Sequence, residues 1–123
     1  MASPLLLKCV AIIFAAFALL ELVGCGVRIP QVTPELVAVA KQRDASLTAE
    51  RLEGGRSLYV NRCGSCHSLS APGEYVEREW NSWVHKMAGK AHIDRDQEVS
   101  IVTFLLVARD ATARAAAEGR QLP

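Results

Sequence analysis

Two cysteines and a histidine lie within five positions of one another in the stretch NRCGSCHSL, Asn61 to Leu69. The chain has only four cysteines and three histidines in all, so this concentration is distinctive. Cys63 and Cys66 are separated by two residues, which places their thiols on adjacent turns at the end of a helix, where both can add to the vinyl groups of one haem. His67 follows directly and can ligate the iron of the same porphyrin. The spacing therefore predicts C-x-x-C-H attachment of a c-type haem.

Three other chemistries are open to these residues. Cys63 and Cys66 can form a redox-active disulfide, because CGSC is also typical of thioredoxin-type sites, but such a site needs a preceding strand and a parallel sheet. They can supply half of a zinc site with His67 and one further histidine, although ligands at adjacent positions strain a tetrahedral site. A purely structural disulfide beside an incidental histidine is the third. Each of these alternatives predicts a protein without haem.

The side chains that can supply a second axial ligand to the iron are Met87, His85 and His92. Met87 lies 20 residues beyond the histidine of the motif and shares a helical face with the apolar Trp80 and Val84. His85 is two residues from Met87, about 200° round the helix, and so faces away. His92 follows this helix, in a turn that we expect to face water. We therefore predict Met87 as the ligand, with His92 or an open position as the alternatives.

Two helices are predicted before the motif. The first begins at Pro34, which is preceded by Thr33 as N-cap, and runs to about Arg43. The second begins after Thr48 and leads into the cysteines. Gly55 lies inside this second helix, where a glycine weakens the helix but permits another backbone to come close.

Two more helices are predicted after the motif. One runs from Glu77 to Ala88, with Gly89 placed to end it. The last opens at Asp94, whose side chain caps it while Gln97 reaches back to the cap. Period-two strand patterns and tight hairpin signals are lacking. The predicted fold class is therefore all-α, a small bundle of three to four helices around a covalently attached haem.

The start of the chain indicates export. Cys9 to Leu20 contain no charged residue, and this stretch of 12 is too short to span a bilayer comfortably but suits the core of a signal peptide. It is followed by LVGC, Leu22 to Cys25, which resembles the bacterial lipoprotein signal, in which the chain is cut before the cysteine and that cysteine is acylated. An uncleaved membrane helix is the alternative. In either case we expect the body at the periplasmic face of a bacterial membrane, inner or outer.

Removal of residues 1–24 from the 123 leaves 99, enough for one small domain whose apolar core would be marginal without a cofactor. We expect the lipidated cysteine and a tether at 25–33, a short helix and linker at 34–47, the haem domain at 48–118 and a tail at 119–123. Lys8 and Glu21 leave with the signal, so 13 basic and 12 acidic residues remain. This balance gives no reason to expect binding to nucleic acid.

Four stretches occur in an order that is more specific than the haem motif alone. They are GRSLYVNRCGSCH (Gly55 to His67), EWNSWVHKM (Glu79 to Met87), KAHID (Lys90 to Asp94) and IVTFL (Ile101 to Leu105). In this order they resemble the small bacterial monohaem cytochromes c, in which a methionine-bearing helix follows soon after the haem motif. The resemblance implies a cytochrome c-like bundle around one haem c, with His67 and Met87 as the iron ligands.

The resemblance also implies two details of packing. Gly55 and Tyr59 should cross the last helix near Phe104, and the two aromatic rings would then pack edge to face. A proline carbonyl should accept the Nδ1 proton of the proximal His67, and Pro72 is the only candidate after the motif.

When the protein fills both axial positions of the iron, the haem has no open site for oxygen or peroxide, and one-electron exchange is the chemistry that remains. We therefore expect an electron carrier and not an enzyme. Trp80 and Trp83 are interpreted as packing against the haem, with the Trp80 indole able to donate to a propionate, and this burial predicts a relatively high potential. The expected partners are redox proteins, namely dehydrogenases, oxidases or other cytochromes. There are two alternative functions. One is an exported thiol-disulfide protein that uses Cys63 and Cys66, and the other is a haem sensor or peroxidase with an open iron.

Overall fold

The computed structural model describes residues 26–120, so the predicted signal segment 1–24, the predicted lipidation site Cys25 and residues 121–123 lie outside the described residues. Residues 26–120 form four α-helices and no strand: α1 Pro34–Arg43, α2 Ala49–Leu58, α3 Glu77–Ala91 and α4 Arg95–Ala117. A π-helical turn, Tyr59–Cys63, prolongs α2, and a 3₁₀ turn, Pro72–Glu74, precedes α3. The predicted all-α fold class is confirmed.

Side-chain caps begin three of the helices at the predicted residues. The Thr33 hydroxyl accepts a hydrogen bond from the Leu36 N–H at 3.3 Å, and Thr48 caps α2 in the same way. Asp94 accepts from the Gln97 N–H at 2.9 Å, while the Gln97 side chain accepts from the Asp94 N–H at 3.1 Å. Each cap satisfies an amide that has no partner inside its helix, which is why these short polar residues mark helix starts so reliably.

The end of α3 differs from the prediction. The helix continues through Gly89 and ends at His92, which has left-handed backbone dihedrals (φ 51°, ψ 49°). The amides of His92 and Ile93 both donate to the Ala88 carbonyl, the latter at 3.2 Å, and these bonds close the last turn. The left-handed position that terminates the helix is therefore occupied by a histidine, and α3 gains a further turn.

The core lies around α4, which packs against each of the other helices. Its buried face includes Ile101 and Phe104, and α2 crosses it where Gly55 faces Ser100. A Cβ at Gly55 would overlap the Ser100 carbonyl oxygen, so this crossing requires a glycine. The crossing near Phe104 agrees with the prediction. The edge-to-face partner of Tyr59, however, is Trp80 and not Phe104.

The N-terminal segment before α1 packs against the body. Ile29 and Val32 contact the core, Pro30 is buried, and the Arg56 Nε donates to the Pro30 carbonyl at 3.0 Å. In the described part of the stretch predicted as a tether, residues 26–28 and Gln31 are exposed. The segment from Ile29 onward is therefore held on the surface of the body and is not a free tether.

The first helix is tied to the rest of the bundle by charge as well as by packing. Arg43 at the end of α1 donates to Asp110 of α4 at 2.6 Å and to Glu77 of α3 at 2.8 Å. Leu36 and Ala40 contribute to the common core. Residues 34–47 are therefore part of the same packed body as the predicted haem domain.

Candidate functional site

A cavity of about 610 Å³ lies between the end of α2, the loop that follows it and α3. Its volume is within the range of pockets that hold small molecules and cofactors. It is lined by Tyr59, Arg62, Cys63, Cys66, His67, Ser68, Ser70, Tyr75, Trp80, Trp83, Val84, Met87, Lys90 and Ala91. The lining thus combines aromatic and aliphatic side chains with two thiols, an imidazole and a thioether.

The cavity brings together the predicted site residues that are far apart in the sequence. Cys63, Cys66 and His67 reach it from the end of α2, and Trp80 and Met87 reach it from α3. The two rival axial ligands, His85 and His92, do not line this cavity, and neither does Pro72.

The π-helical turn and the glycine after it place the motif. Cys63 ends the turn and is half-buried, whereas Cys66 and His67 are exposed. A Cβ at Gly64 would overlap the Val60 carbonyl oxygen, so the first residue between the cysteines has room only for glycine. The two thiols are not joined in a disulfide. Burial raises the pKa of the Cys63 thiol, because the thiolate would lose its hydration there.

The apolar face of α3 is arranged as its spacing predicts. Trp80 and Val84 are buried, and Met87 is half-buried one turn further along. His85 points away from the cavity, and its Nδ1 lies 3.1 Å from a carboxylate oxygen of Glu98. Hydrogen bonds from His85, and next from Arg95 at 3.0 Å, hold the pKa of Glu98 below its usual value.

The Pro72 carbonyl has a different partner from the one that the resemblance implies. It accepts a hydrogen bond from the Trp80 Nε1 at 2.9 Å, and this bond is buried. The His67 Nδ1 instead lies 2.9 Å from the carbonyl oxygen of the adjacent Ser68. The indole of Trp80 is also committed to Pro72, so it is not free to donate to a propionate. The 3₁₀ turn that carries Pro72 packs on α4, and this position brings the Pro72 carbonyl within reach of Trp80.

Aromatic rings form one side of the cavity. Trp80 meets Tyr59 and Tyr75 edge to face, with ring centroids 5.9 and 5.0 Å apart and interplanar angles of 87°. Trp83, which is interpreted from the sequence as packing against the haem, also lines the cavity; it is 43% exposed, and the Lys86 ammonium lies 5.1 Å from its ring centroid. Sequence reasoning missed Tyr75, which lies in a loop without a periodic pattern.

Two cations at the cavity were also missed. Arg62 directly precedes the C-x-x-C-H motif, and Lys90 is on α3 three residues after Met87. Lys90 would have been found on the Met87 face if the helix had been predicted to continue past Gly89. Cationic side chains beside an apolar cavity suit a ligand that carries carboxylates.

No family model, curated protein or solved structure matches this chain. The site must therefore be interpreted from its own residues.

The donor set of the cavity fits a haem. A C-x-x-C-H motif and a methionine line the same apolar space, and the porphyrin would itself supply the four equatorial iron ligands, so only two are needed from the chain. Within residues 26–120, no three or more His, Cys, Asp and Glu side chains are grouped as the ligands of a metal ion would be. The same part of the chain contains no helix that is long and apolar enough to cross a membrane.

Proposed function

We propose that this chain is a one-electron carrier, a monohaem c-type cytochrome held by lipid on Cys25 at the periplasmic face of a bacterial membrane. The observation that carries the proposal is that Met87 of α3 lines the same cavity as the C-x-x-C-H motif. Cys63 and Cys66 would hold the cofactor through thioether bonds, and His67 and Met87 would be the axial ligands. Bound haem supplies reversible exchange of one electron at iron.

The side chains around the cavity suit this role. Trp80 and Val84 are buried and keep water from one wall, which disfavours the additional charge of ferric iron and raises the expected potential. The cations of Arg62 and Lys90 suit the two propionates. Met87 is on the face of α3 that also carries Trp80 and Val84, so the helix that excludes water also presents the thioether.

Lipid on Cys25 would hold the domain close to the bilayer. Packing against the core begins at Ile29, so three residues, 26–28, separate Cys25 from the folded body, and the four extended steps from residue 25 to residue 29 span at most about 14 Å. This short reach favours redox partners that lie in the membrane or at its surface, whether the chain acts as a free carrier or as a subunit of a dehydrogenase.

A thiol-disulfide function receives less support from the same site. Exchange requires a thiolate, and burial raises the pKa of Cys63 instead of lowering it. The strand and parallel sheet that surround thioredoxin-type sites have no counterpart in residues 26–120.

An optical spectrum of the protein tests the proposal. The full chain is expressed in a periplasm with haem-attachment machinery and compared with the double variant C63A/C66A. We expect the natural chain to give the pyridine spectrum of a c-type haem and the variant to lack it. A methionine-to-ferric-iron charge-transfer band is also expected, and its loss in M87A would support the axial role of Met87. Haem without the band would favour a sensor or peroxidase, and absence of haem would refute the proposal.

A further inference from the structure

Tyr59 makes two hydrogen bonds to one residue on the far side of the haem motif. Its hydroxyl donates to the Ser70 carbonyl at 2.8 Å and accepts from the Ser70 N–H at 3.1 Å. The ring itself is only 4% exposed and packs on Trp80, so the hydroxyl has a fixed position. The backbone of Ser70 is therefore attached to the end of α2 at both of its polar groups.

These two bonds close a loop that contains all three residues of the motif. Tyr59 and Ser70 are 11 residues apart, and Cys63, Cys66 and His67 lie between them. The chain leaves α2 through the π-helical turn, passes the motif and returns to the Tyr59 hydroxyl.

The imidazole of His67 makes few contacts that could fix its position. The side chain is exposed, and its one hydrogen-bond contact within residues 26–120 is to the carbonyl of the adjacent Ser68. Its position therefore follows the backbone of the loop. On the N-terminal side that backbone leaves the helix at Cys63, and on the C-terminal side Ser70 is the first residue hydrogen-bonded to a group outside the loop.

We propose that Tyr59 is a positioning residue for the proximal histidine, His67. The two hydrogen bonds between its hydroxyl and the backbone of Ser70, here called the clasp, fix the loop and thereby set the position of His67 in the cavity. This inference rests on the proposed function, because it concerns an axial ligand of the haem. The Tyr59 hydroxyl acts on His67 through the backbone of the loop, by way of Ser70.

The chain offers a matched control for removal of the hydroxyl. Tyr75 lines the same cavity and also packs edge to face on Trp80, but its hydroxyl makes no hydrogen bond within residues 26–120. Y59F and Y75F each delete one oxygen from a tyrosine of the same aromatic cluster. Only Y59F leaves the N–H and the carbonyl of Ser70 without their partner.

The experiment measures two properties of the full chain after expression with haem attachment, in the natural protein, Y59F and Y75F. The first is hydrogen exchange of the Ser70 amide, which should be several-fold and up to about tenfold faster in Y59F, since a single such bond contributes up to about a factor of ten. The second is the midpoint potential of the iron well below the unfolding temperature. It should shift in Y59F, because general destabilisation does not change the potential of a folded protein; Y75F is the control for the exchange measurement and should leave the Ser70 amide at its natural rate.

The outcomes show whether the clasp fails by itself or together with the proposed function. Haem in all three proteins with unchanged exchange and potential in Y59F would overturn the clasp and leave the carrier intact. No haem in the natural chain would refute both the carrier and the role of Tyr59 in ligand positioning. If Y59F does not fold, the natural protein decides: a protected Ser70 amide supports the clasp, and exchange at the rate of an open peptide refutes it.

Discussion

Adjacent glycines in α2 should respond in opposite directions to the same substitution. A Cβ at Gly54 would have no atom within 4 Å, whereas a Cβ at Gly55 would overlap the Ser100 carbonyl oxygen and lie 3.0 Å from the Phe104 Cβ. The variants G54A and G55A therefore differ only in whether the added methyl group meets solvent or α4. We expect G54A to stabilise the protein and G55A to destabilise it.

The magnitudes follow from helix propensity and packing. Both variants gain about 1 kcal/mol, the difference between alanine and glycine inside a helix. Nothing opposes this gain at Gly54, so the free energy of unfolding should rise by about 0.5–1 kcal/mol. At Gly55 the obstructing atoms belong to the α4 backbone and cannot rotate away, so overpacking costs about 3 kcal/mol, the upper end of its usual range. The net loss for G55A is then about 2 kcal/mol.

Urea unfolding followed by circular dichroism, on samples with equal haem content, measures both effects. In thermal unfolding the loss in G55A corresponds to a decrease of about 10 °C in Tm for a domain of this size. A G55A protein as stable as the natural one would refute the close crossing of α2 and α4 at Ser100. A destabilised G54A would refute the assumption that the outer face of α2 is governed by propensity alone.

Three further predictions concern the site and the N-terminal segment. M87H should lower the midpoint potential, because imidazole favours ferric iron more than a thioether does, and a rise in redox titration would contradict Met87 as a ligand. Burial raises the pKa of Tyr59 to about 12, against about 10 in the unfolded chain. Over pH 10–12 the unfolded chain thus releases a proton that the folded one retains, so the free energy of unfolding should fall as pH rises, by about 2–3 kcal/mol. Y59F should remove that part of the fall in urea titrations, and an identical pH profile in Y59F would contradict it. R56A should free the segment held at Pro30 and accelerate tryptic cleavage after Arg28, whereas an unchanged rate would show that packing alone holds it.

The features that the sequence predicted well are local ones. Thr33, Thr48 and Asp94 cap helices through bonds to residues three positions away, so a few neighbouring side chains encode each start. The spacing of Trp80 and Met87 along one helix likewise follows from the 3.6-residue period. Such contacts do not depend on how the helices pack, which explains why the sequence pattern and the structure agree at these residues.

The arrangement around the motif was decided by tertiary packing. The Tyr59 hydroxyl reaches Ser70 across 11 residues, and Trp80 takes the Pro72 carbonyl that the resemblance assigns to His67. Neither bond has a sequence signature, because a buried donor donates to whichever carbonyl the packed loop brings within reach.

The sequence by itself determined the helices, their starts, the C-x-x-C-H spacing and the face of α3 that carries Met87. Tertiary structure alone decided which residues enclose the cavity and how the segment at Pro30 is held. The physical reason is the range of the interactions: capping and periodicity act within one or two turns, whereas Arg56 and Pro30 meet across 26 residues only after the helices have packed.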